Sequence, residues 1–492
     1  MGLKHRHSYE SVTSRLIAEE KQYISASYAG DLSIALVYPN LYSLGMSNLG
    51  FLTVHRLLTA IPGVGVERFF PAFSPDMLLS PPFYSFETGR PLGDFSLIMF
   101  SFSYEGDFDK IPGMFAALGM PVHAQERNRF HPVLMAGGAA VASNPKALSA
   151  IFDIIVPGEA ETTVFEIVES IRENGFDKNQ LTKIPGVWIP TVSEDFLPAA
   201  KMHDVNESPA WSHIVAPSNA FGGAHMIEVM RGCPRVCSFC LARAIYSPVR
   251  AVSAEKIEKW LDAHPDCNDL GLVAPSLFDH PEIEEIFEML YLRNVRIRNS
   301  SVKWEKLNSR ILSILSSSGV NGLTLAPETG SERLRRLIKK SMAEERFIES
   351  LREIFSSGFS HVKMYFITCL PGEEEEDVEA TAAFISRISA GIPDSARISA
   401  AFSVFVPKNS TEFADEKAPD GSFIKKRLRL YREKLGKLCS EMDVNFESIQ
   451  EAVRQAYLSK VGSELADEYA REARLCRENQ LFSRNQFLPL EF

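Results

Sequence analysis

The stretch 231-RGCPRVCSFCLAR-243 places Cys233, Cys237 and Cys240 within eight residues, with Phe239 immediately before the last of them. Cysteine thiolates bind zinc and iron-sulfur clusters, and both kinds of site usually take four protein ligands. Three thiolates at offsets of four and three residues reach one centre only if the backbone curls around it, and Gly232 permits such a loop. The stretch therefore predicts a metal-binding loop with an incomplete set of ligands.

The incomplete set has two explanations. A residue elsewhere can complete a zinc site or an electron-transfer cluster, and the nearest candidates are His213, His225, His264 and Cys267. None of them lies at the spacing that compact zinc knuckles use. The other explanation is a 4Fe-4S cluster with three protein ligands, which leaves one iron open to a substrate or cofactor. The residues alone leave both explanations open.

The composition is that of a folded multidomain protein. The chain has 492 residues, enough for two or three hydrophobic cores, and is 45% hydrophobic and 23% charged. Its net charge of -11 argues against a wide nucleic-acid-binding surface, and its seven cysteines show no disulfide pattern. Its apolar stretches are shorter than a membrane span and the N-terminus has no apolar signal core, so we expect a cytoplasmic protein without a membrane partner.

The first half of the chain alternates apolar strands with amphipathic helices. Such alternation predicts βαβ units and a parallel sheet that is covered on both faces. We therefore expect residues 1–195 to form a Rossmann-like, doubly wound domain with an N-terminal arm, followed by a linker at residues 196–222 that is rich in Pro, Ser, Asn and Gly. The predicted strands are residues 31–39, 64–71, 95–103, 132–139 and 152–158.

A second alternating series follows and contains the cysteine stretch directly after its first strand. Six strands with five intervening helices predict a partial (β/α)6 barrel over residues 223–414, in which chemistry lies at the carboxyl ends of the strands. Residues 415–492 are predicted as a helical C-terminal region that acts as a cap or an interaction surface. The predicted barrel strands are residues 225–231, 270–275, 295–300, 322–326, 361–370 and 397–406.

The motif C-x3-C-x2-C with an aromatic residue before its last cysteine, here CPRVCSFC, resembles the signature of the radical S-adenosylmethionine (SAM) superfamily. The resemblance implies that Cys233, Cys237 and Cys240 hold a 4Fe-4S cluster and that SAM chelates the open iron. It also implies that one electron from the reduced cluster cleaves SAM to methionine and a 5′-deoxyadenosyl radical. An electron donor such as flavodoxin or ferredoxin is then the expected partner.

The later strand ends resemble the SAM-binding segments of the same family, where the chain reads GLVAPSLFDHP, GLTLAPETGSERL and YFITCLPGEEEE. Glu328 alternatively complements the positive end of a helix, and Lys303 and Arg335 are weaker candidates. The resemblance implies SAM contacts for Phe239, Ala274, Pro275, Ser276, Ser301, Glu328, Arg336 and Leu370.

Lys363 lies within the apolar fifth strand of the predicted barrel. An ammonium group is costly to bury unless it is paired, so this lysine is either functional or near an edge. We therefore treat Lys363 as a candidate catalytic residue.

The first half resembles the cobalamin-binding-like N-terminal domain of one radical SAM subgroup, since YPNLYSLGMSNLGF, FSFSYEGD, MAGGAAVASNP and VPGEAET occur in that order. Where cobalamin domains have D-x-H-x-x-G, this chain has Tyr42 in the histidine position, so a corrin would bind without a histidine ligand or the domain would serve as a scaffold. The glycine pair also fits an ordinary strand-to-helix turn. The resemblance implies cobalamin contacts for Asn40, Tyr42, Gly45, Ser101, Gly137 and Gly138.

Together these observations predict a radical SAM enzyme whose three-cysteine 4Fe-4S cluster cleaves SAM reductively. Cobalamin is a candidate second cofactor, and methylation or another C-H modification is the expected outcome. The alternative is a non-catalytic iron-sulfur or zinc protein with a structural or electron-transfer cluster. The sequence does not identify the substrate.

Overall fold

A computed structural model describes residues 2–74, 77–78, 83–194, 198–393, 396–436, 438 and 442–479. The described residues form two compact units. The first unit contains those of Met1–His203, Ala210–Gly223 and Lys460–Phe492, and the second contains those of Asp204–Pro209 and Ala224–Ser459. Each unit is therefore assembled from more than one segment of the chain.

The first unit is built on a five-stranded parallel sheet, which confirms the predicted Rossmann-like fold. The second strand in sequence lies at one edge, the first lies beside it, and the third, fourth and fifth follow. This order is that of a flavodoxin-like doubly wound sheet, whose ligand crevice lies between the first and third strands. In spatial order the strands are Val64–Phe69, Leu32–Val37, Leu97–Ser101, Val133–Gly137 and Ile154–Val156.

Two antiparallel strand pairs accompany this sheet, Lys21–Gln22 with Ile214–Val215 and Ala72–Ser74 with Met77–Leu78. The first pair places residues 214–215, within the predicted linker, in a strand. The α-helices of this unit are Gly2–Glu19, Tyr42–Gly45, Leu49–Thr59, Ile111–Leu118, Ala139–Ser143, Val164–Asn174, Lys178–Leu181 and Leu465–Asn479.

The last helix, Leu465–Asn479, packs against helix Ile111–Leu118 of the first unit. The hydroxyl of Tyr469 is fully buried and donates a hydrogen bond to a carboxylate oxygen of Asp109 at 2.8 Å. We predicted residues 415–492 as one helical region after the barrel, and the structure instead divides this region between the two units.

The second unit contains all six predicted barrel strands, in parallel pairs. Three lie in one sheet and three in another, and backbone hydrogen bonds between Ser300, Val302 and Thr324 join the two. A seventh strand, which the sequence did not predict, extends the second sheet with parallel pairing. The strands are His225–Glu228, Asp269–Val273, Arg296–Ile297, Gly322–Glu328, His361–Thr368, Arg397–Val404 and Asp443–Phe446.

A short antiparallel pair, Met230–Arg231 with Arg250–Ala251, flanks the loop that carries the cysteines. Of the helices in the described part of the chain, none combines the length and apolarity needed to span a bilayer. The α-helices of the second unit are Leu241–Tyr246, Ala254–Ala263, Ile283–Leu292, Ser309–Ser317, Glu332–Leu337, Glu344–Ser356, Glu375–Ala390, Gly421–Leu435 and Ile449–Leu458.

Candidate active site

The three cysteines lie in a loop, residues 232–240, that leaves the carboxyl end of the first barrel strand; we call it the cysteine loop. Gly232 opens it with φ of +86°, and a Cβ atom there would lie 2.8 Å from the carbonyl oxygens of Tyr246 and Pro248. Glycine is therefore required at this bend. The Ser238 amide donates to the carbonyl of Ile338 at 3.1 Å, which anchors the far side of the loop.

The three thiols are partly exposed, and none forms a disulfide. Burial raises the pKa of the Cys233 thiol, and the neighbouring Cys240 and Asp279 raise it further. Burial also raises the pKa of the Cys237 thiol, which Lys340 lowers and Cys240 raises. Because the cysteines perturb one another electrostatically, their sulfur atoms lie in one neighbourhood.

This donor set fits an iron-sulfur cluster. Within the described ranges, no three or more His, Cys, Asp or Glu side chains converge closely enough to hold a single metal ion. A cluster does not need such convergence, because each thiolate binds a different iron atom. Three free thiols on one anchored loop are the arrangement that a 4Fe-4S cluster with an open iron requires.

The end of the second barrel strand contributes a charged group beside Cys233. Asp279 accepts a hydrogen bond from the Ser276 hydroxyl at 2.7 Å and forms ion pairs with Arg235 at 2.5 Å and Lys303 at 3.0 Å. The Ser276 hydroxyl also lowers the pKa of the Cys233 thiol. Ser276 therefore lies beside the cysteine loop, and so does Asp279, which sequence reasoning did not identify.

The fourth barrel strand ends at Glu328, whose buried carboxylate receives a hydrogen bond from Lys340 at 2.6 Å. Burial raises the pKa of Glu328, and Lys340 opposes this rise. Both residues also influence the Cys237 thiol, so this ion pair lies at the cysteine loop. Sequence reasoning missed Lys340 because it lies twelve residues after Glu328, beyond an intervening helix.

Two strand ends near the loop hold strained backbone. Glu328 has φ of +65° and Cys369, after the fifth strand, has φ of +59°. Such conformations cost free energy for residues other than glycine and persist only where surrounding contacts hold them.

Contacts with the helix Glu375–Ala390, and with Glu373 just before it, hold these two strand ends in place. The Gly330 amide donates to the Thr381 hydroxyl at 3.1 Å, and a Cβ atom on Gly330 would lie 2.5 Å from the Thr381 Cα. The Cys369 amide donates to Glu373, which also accepts from the buried hydroxyl of Tyr431, both at 2.7 Å.

The other predicted SAM contacts fall into two groups. Ala274 and Pro275 lie directly after the second strand and are partly or fully exposed, and Ser301 is exposed at the junction of the third and fourth strands. Phe239 and Leu370 instead pack into one apolar cluster with Leu334, Ile338, Phe405, Phe413 and Ile367.

Arg336 does not fit its predicted role. Its side chain is 76% exposed and pairs with Glu332 on its own helix. The adjacent Arg335 is buried and donates to the carbonyl of Thr329 at 3.0 Å. Lys340 is the cation that the structure brings to Glu328, because the chain turns back after this helix.

Lys363 lies within the fifth barrel strand, His361–Thr368. Its ammonium group lies 4.8 Å from the centre of the Tyr365 ring.

In the first unit, polar side chains meet at the carboxyl ends of the first and third strands. Asn40 donates from Nδ2 to Asp107 at 2.6 Å, and Asn48 donates to the Ser103 hydroxyl at 2.7 Å. Asp107 is buried, its second carboxylate oxygen has no partner among the described residues, and burial raises its pKa to about 6. Asn40 therefore lies at the predicted crevice.

Tyr42 does not lie at this crevice surface. Its side chain is buried, its ring stacks on Phe86, and its hydroxyl donates to Glu20 at 2.8 Å. Arg68, also fully buried, pairs with Glu20 at 2.7 Å and with Glu87 at 2.6 Å. Tyr42 thus belongs to the core of the unit, and its predicted contact with cobalamin does not fit the structure.

The predicted glycine contacts are explained by packing within the protein. A Cβ atom on Gly45 would lie 2.5 Å from the Phe70 ring, and one on Gly138, which has φ of +109°, would lie 2.3 Å from the Phe102 carbonyl oxygen. Gly137 has more room, with the Val156 carbonyl oxygen at 3.4 Å, and Ser101 is buried in its strand.

Two exposed large side chains of the first unit suit contact with a flat corrin ring. Leu44 follows the first strand and Tyr104 follows the third, and both are large, exposed side chains beyond the carboxyl ends of these strands. Because Tyr42 is buried, cobalt would take no ligand from it. The residues present fit a corrin that lies on apolar side chains without this protein ligand.

Comparisons with known proteins agree with this architecture. The family model described as "Radical SAM proteins, N-terminal" matches residues 50–190, and that described as "Radical SAM superfamily" matches residues 227–385. The uncharacterized protein MJ0966 of Methanocaldococcus jannaschii is 27% identical over 443 residues, which are 89% of this chain and 90% of that protein.

Solved structures of TsrM, a radical SAM methyltransferase of Kitasatospora setae, share the fold at 14% identity. The one with cobalamin and a [4Fe-4S] cluster bound covers 92% of this chain and 100% of its own, with a TM-score of 0.58. The one with tryptophan substrate and a SAM analog bound covers 78% and 76%, with a TM-score of 0.53. Two successive family matches and this shared fold lead to one conclusion: the chain is a radical SAM enzyme with an N-terminal region of the cobalamin-binding-like fold.

Proposed function

We propose that this enzyme binds its 4Fe-4S cluster through Cys233, Cys237 and Cys240, cleaves SAM at the open iron, and methylates or otherwise modifies a C-H bond of its substrate. The observation that carries the proposal is the set of three free thiols beside the buried Glu328–Lys340 pair. When bound and reduced, the cluster supplies the electron that cleaves the sulfonium of SAM.

SAM carries an amino group, a carboxylate and a sulfonium, and the residues around the cysteine loop supply groups of opposite charge for each. The carboxylates of Glu328 and Asp279 suit its cationic groups, and Lys340 and Lys303 suit its carboxylate. Asp279 influences the Cys233 thiol, and Glu328 and Lys340 influence the Cys237 thiol, so both acid–base pairs lie beside the cysteine loop. The strained backbone at Glu328 fixes the direction of its carboxylate before SAM binds.

We also propose that the first unit binds cobalamin at the crevice between its first and third strands. Supporting observations are the strand order, the exposed Leu44 and Tyr104, and the fold shared with TsrM, whose structure contains cobalamin. Cobalamin supplies a methyl carrier when it is bound, so its presence favours methylation over other radical outcomes. Tyr42 is buried and would not hold the cobalt.

Iron loading tests the cluster proposal. Anaerobic reconstitution of the full-length chain should give about four iron and four sulfide per chain, and dithionite with SAM should then yield 5′-deoxyadenosine or S-adenosylhomocysteine. Cys237→Ala should lose both iron and SAM cleavage. Cys267→Ala is the matched control, because Cys267 is buried away from the cysteine loop and should leave iron content unchanged. A wild-type protein that binds one zinc tightly and does not turn over SAM would contradict the proposal.

A separate experiment tests cobalamin. The protein should retain a cobalamin absorbance spectrum after incubation with hydroxocobalamin and desalting. Leu44→Glu, which places a charge on the apolar rim, should weaken this retention while leaving iron content unchanged. A colourless wild-type protein would remove cobalamin from the mechanism and leave hydrogen abstraction as the reaction class.

A further inference from the structure

The fifth barrel strand, His361–Thr368, presents alternate side chains to opposite faces of its sheet. Phe366 stacks on Phe402 of the next strand and contacts Phe384 of the covering helix Glu375–Ala390. Even-numbered residues therefore face the helices and are buried. Residues 361, 363, 365 and 367 face the inside of the barrel, and all four are at least partly exposed.

Lys363 lies on this inner face with no acidic partner. Its ammonium group makes no hydrogen bond or ion pair to any residue that the structure describes, and its one defined contact is the Tyr365 ring. The neighbouring strands pair Lys363 with Thr324 and Ser399, which are both uncharged. A partly exposed ammonium without a counter-ion among the described residues is available to pair with an anionic group of a ligand.

Tyr365 is the second unusual residue of this face. It is 40% exposed although its strand lies between two others, where large aromatic side chains usually pack. Its paired residue on the next strand is the small Ala401, and Ala326 on the strand before is exposed. Small neighbours on both sides leave the ring face that the Lys363 ammonium does not cover open for stacking.

The side chains on the inner face of this strand continue toward the cysteine loop. Ile367, two residues after Tyr365, packs into the apolar cluster that contains Phe239 of that loop. Strand geometry places Tyr365 about 6.6 Å and Lys363 about 13 Å from Ile367 along the strand. A molecule held by Lys363 and Tyr365 would therefore extend toward the side of the barrel where the cysteines lie.

We propose that Lys363 and Tyr365 form the substrate-anchoring subsite and that the substrate is a small carboxylic acid with a flat ring. Lys363 binds the carboxylate and Tyr365 stacks on the ring. The inference rests on the proposed radical SAM function and specifies its substrate class. A single unpaired ammonium matches a single carboxylate, whereas a nucleic acid would require several cations.

Calorimetric titration of the full-length, anaerobically reconstituted protein tests this subsite with 3-phenylpropanoate and its neutral analogue 3-phenylpropanamide. The acid should bind at least tenfold more tightly than the amide, because only the acid pairs with Lys363. Lys363→Met should remove this preference, and Lys363→Arg should keep it. Tyr365→Leu should weaken both compounds by the same factor, about threefold to tenfold.

Lys426→Met is the matched control, because Lys426 is exposed on helix Gly421–Leu435 and should leave every affinity unchanged. Equal affinity of the wild type for acid and amide, failure to bind either, or an acid preference that survives Lys363→Met would overturn the proposal. Tighter binding of phenyl phosphate than of 3-phenylpropanoate would overturn the choice of a carboxylate. If a circular-dichroism melt shows that Lys363→Met does not fold, the proposal is still tested by the affinities of the wild type and of Lys363→Arg for the acid and the amide.

SAM cleavage is measured on the same wild-type preparation without added acid, so the two proposals fail separately. Protein that cleaves SAM but shows no preference for the acid refutes the subsite alone. Protein that prefers the acid but does not cleave SAM refutes the proposed function alone.

Discussion

Two tyrosines show how differently the two units use similar side chains. Tyr42 follows the first strand of the first unit, in the segment that resembles a cofactor motif, and is 1% exposed with its hydroxyl bonded to Glu20. Tyr365 lies within an apolar strand of the second unit and is 40% exposed, with no hydrogen bond from its hydroxyl to any described residue. Tyr42 is therefore part of the packed core, whereas the Tyr365 side chain is free to contact a ligand.

A residue can keep the spacing of a cofactor motif and still have a side chain that no ligand can reach. The segment around Tyr42 keeps the spacing of a cobalamin motif, yet Arg68, Glu20 and Glu87 hold the tyrosine within a buried charge network. The barrel strand has no motif at Tyr365, yet its inner face carries an unpaired cation beside the ring. If this contrast is correct, substitutions around Tyr42 should change stability and substitutions around the barrel should change ligand binding.

The largest expected effect is on the charge network beneath Tyr42. Arg68→Met leaves Glu20 and Glu87 buried without their cation, so it should lower the free energy of unfolding by about 3–5 kcal/mol. Urea unfolding followed by circular dichroism measures this change. Arg172→Met is the control, because Arg172 pairs with the exposed Asp31 and should cost at most about 1 kcal/mol. Equal losses in the two variants would refute a structural role for the network.

The next effect concerns pH and the strand that carries Tyr365. Burial raises the pKa of Glu373, beyond the end of this strand, from 4.5 to about 7. Between these values the folded state retains a proton that the unfolded state has lost, so stability should fall as pH rises from about 4.5 to about 7 and then level off. At about 1.4 kcal/mol per pKa unit, the fall is on the order of 3 kcal/mol.

Urea titrations at several pH values measure this dependence. Glu373→Gln, which does not titrate, should remove the Glu373 part of this dependence, whereas the part that comes from Glu87 and Asp107, whose pKa burial also raises to about 6, should remain. The same pH dependence in the variant and the wild type would contradict the assignment to Glu373.

A smaller effect tests the strand ends of the barrel. Glu328→Gln keeps the shape of the side chain but removes the charge that pairs with Lys340, so SAM affinity should fall at least tenfold. Calorimetric titration of SAM into the reconstituted protein measures the change. Glu332→Gln, on the exposed side of the next helix, should have no effect. Unchanged affinity in Glu328→Gln would make this carboxylate a structural partner of Lys340 only.

The smallest effect compares the two tyrosines directly. Tyr42→Phe removes a buried hydroxyl that donates to Glu20 and should cost about 1 kcal/mol of stability. Tyr365→Phe removes a hydroxyl without a partner among the described residues and should change stability by less than about 0.5 kcal/mol. Retention of hydroxocobalamin should be the same in Tyr42→Phe as in the wild type. Similar stability losses in both variants would contradict the contrast between the two positions.

The fold could be predicted in considerable detail because strand and helix periodicities are local. All five strands of the first sheet and all six predicted barrel strands occur, with ends shifted by a few residues. The seventh strand, Asp443–Phe446, was not predicted because four residues in a polar setting give no period; it forms by pairing with Arg397–Val404. Its stacked rings, Phe446 on Phe402, come from distant positions in the chain.

The site was predictable only where the motif itself supplies the residues. The cysteines and the turns at Ser276 and Glu328 are local features, and the structure brings them together. Lys340 and Asp279 reach the same place through tertiary packing, which gives no signal in a single sequence. Which of Arg335, Arg336 and Lys340 pairs with Glu328 depends on the rotation of the helix and on the turn that follows it. Sequence spacing defines neither.

Because helix Leu465–Asn479 belongs to the first unit, this unit cannot finish folding until the end of the chain has been synthesised. A ribosome releases the five strands of the doubly wound sheet early, but the helix that covers Ile111–Leu118 emerges only after the whole barrel has been synthesised. Until then the side of Ile111–Leu118 that this helix covers has no partner from the end of the chain, so the first unit is incomplete. Deletion of residues after 459 should therefore damage the beginning of the protein, while the barrel keeps every one of its strands.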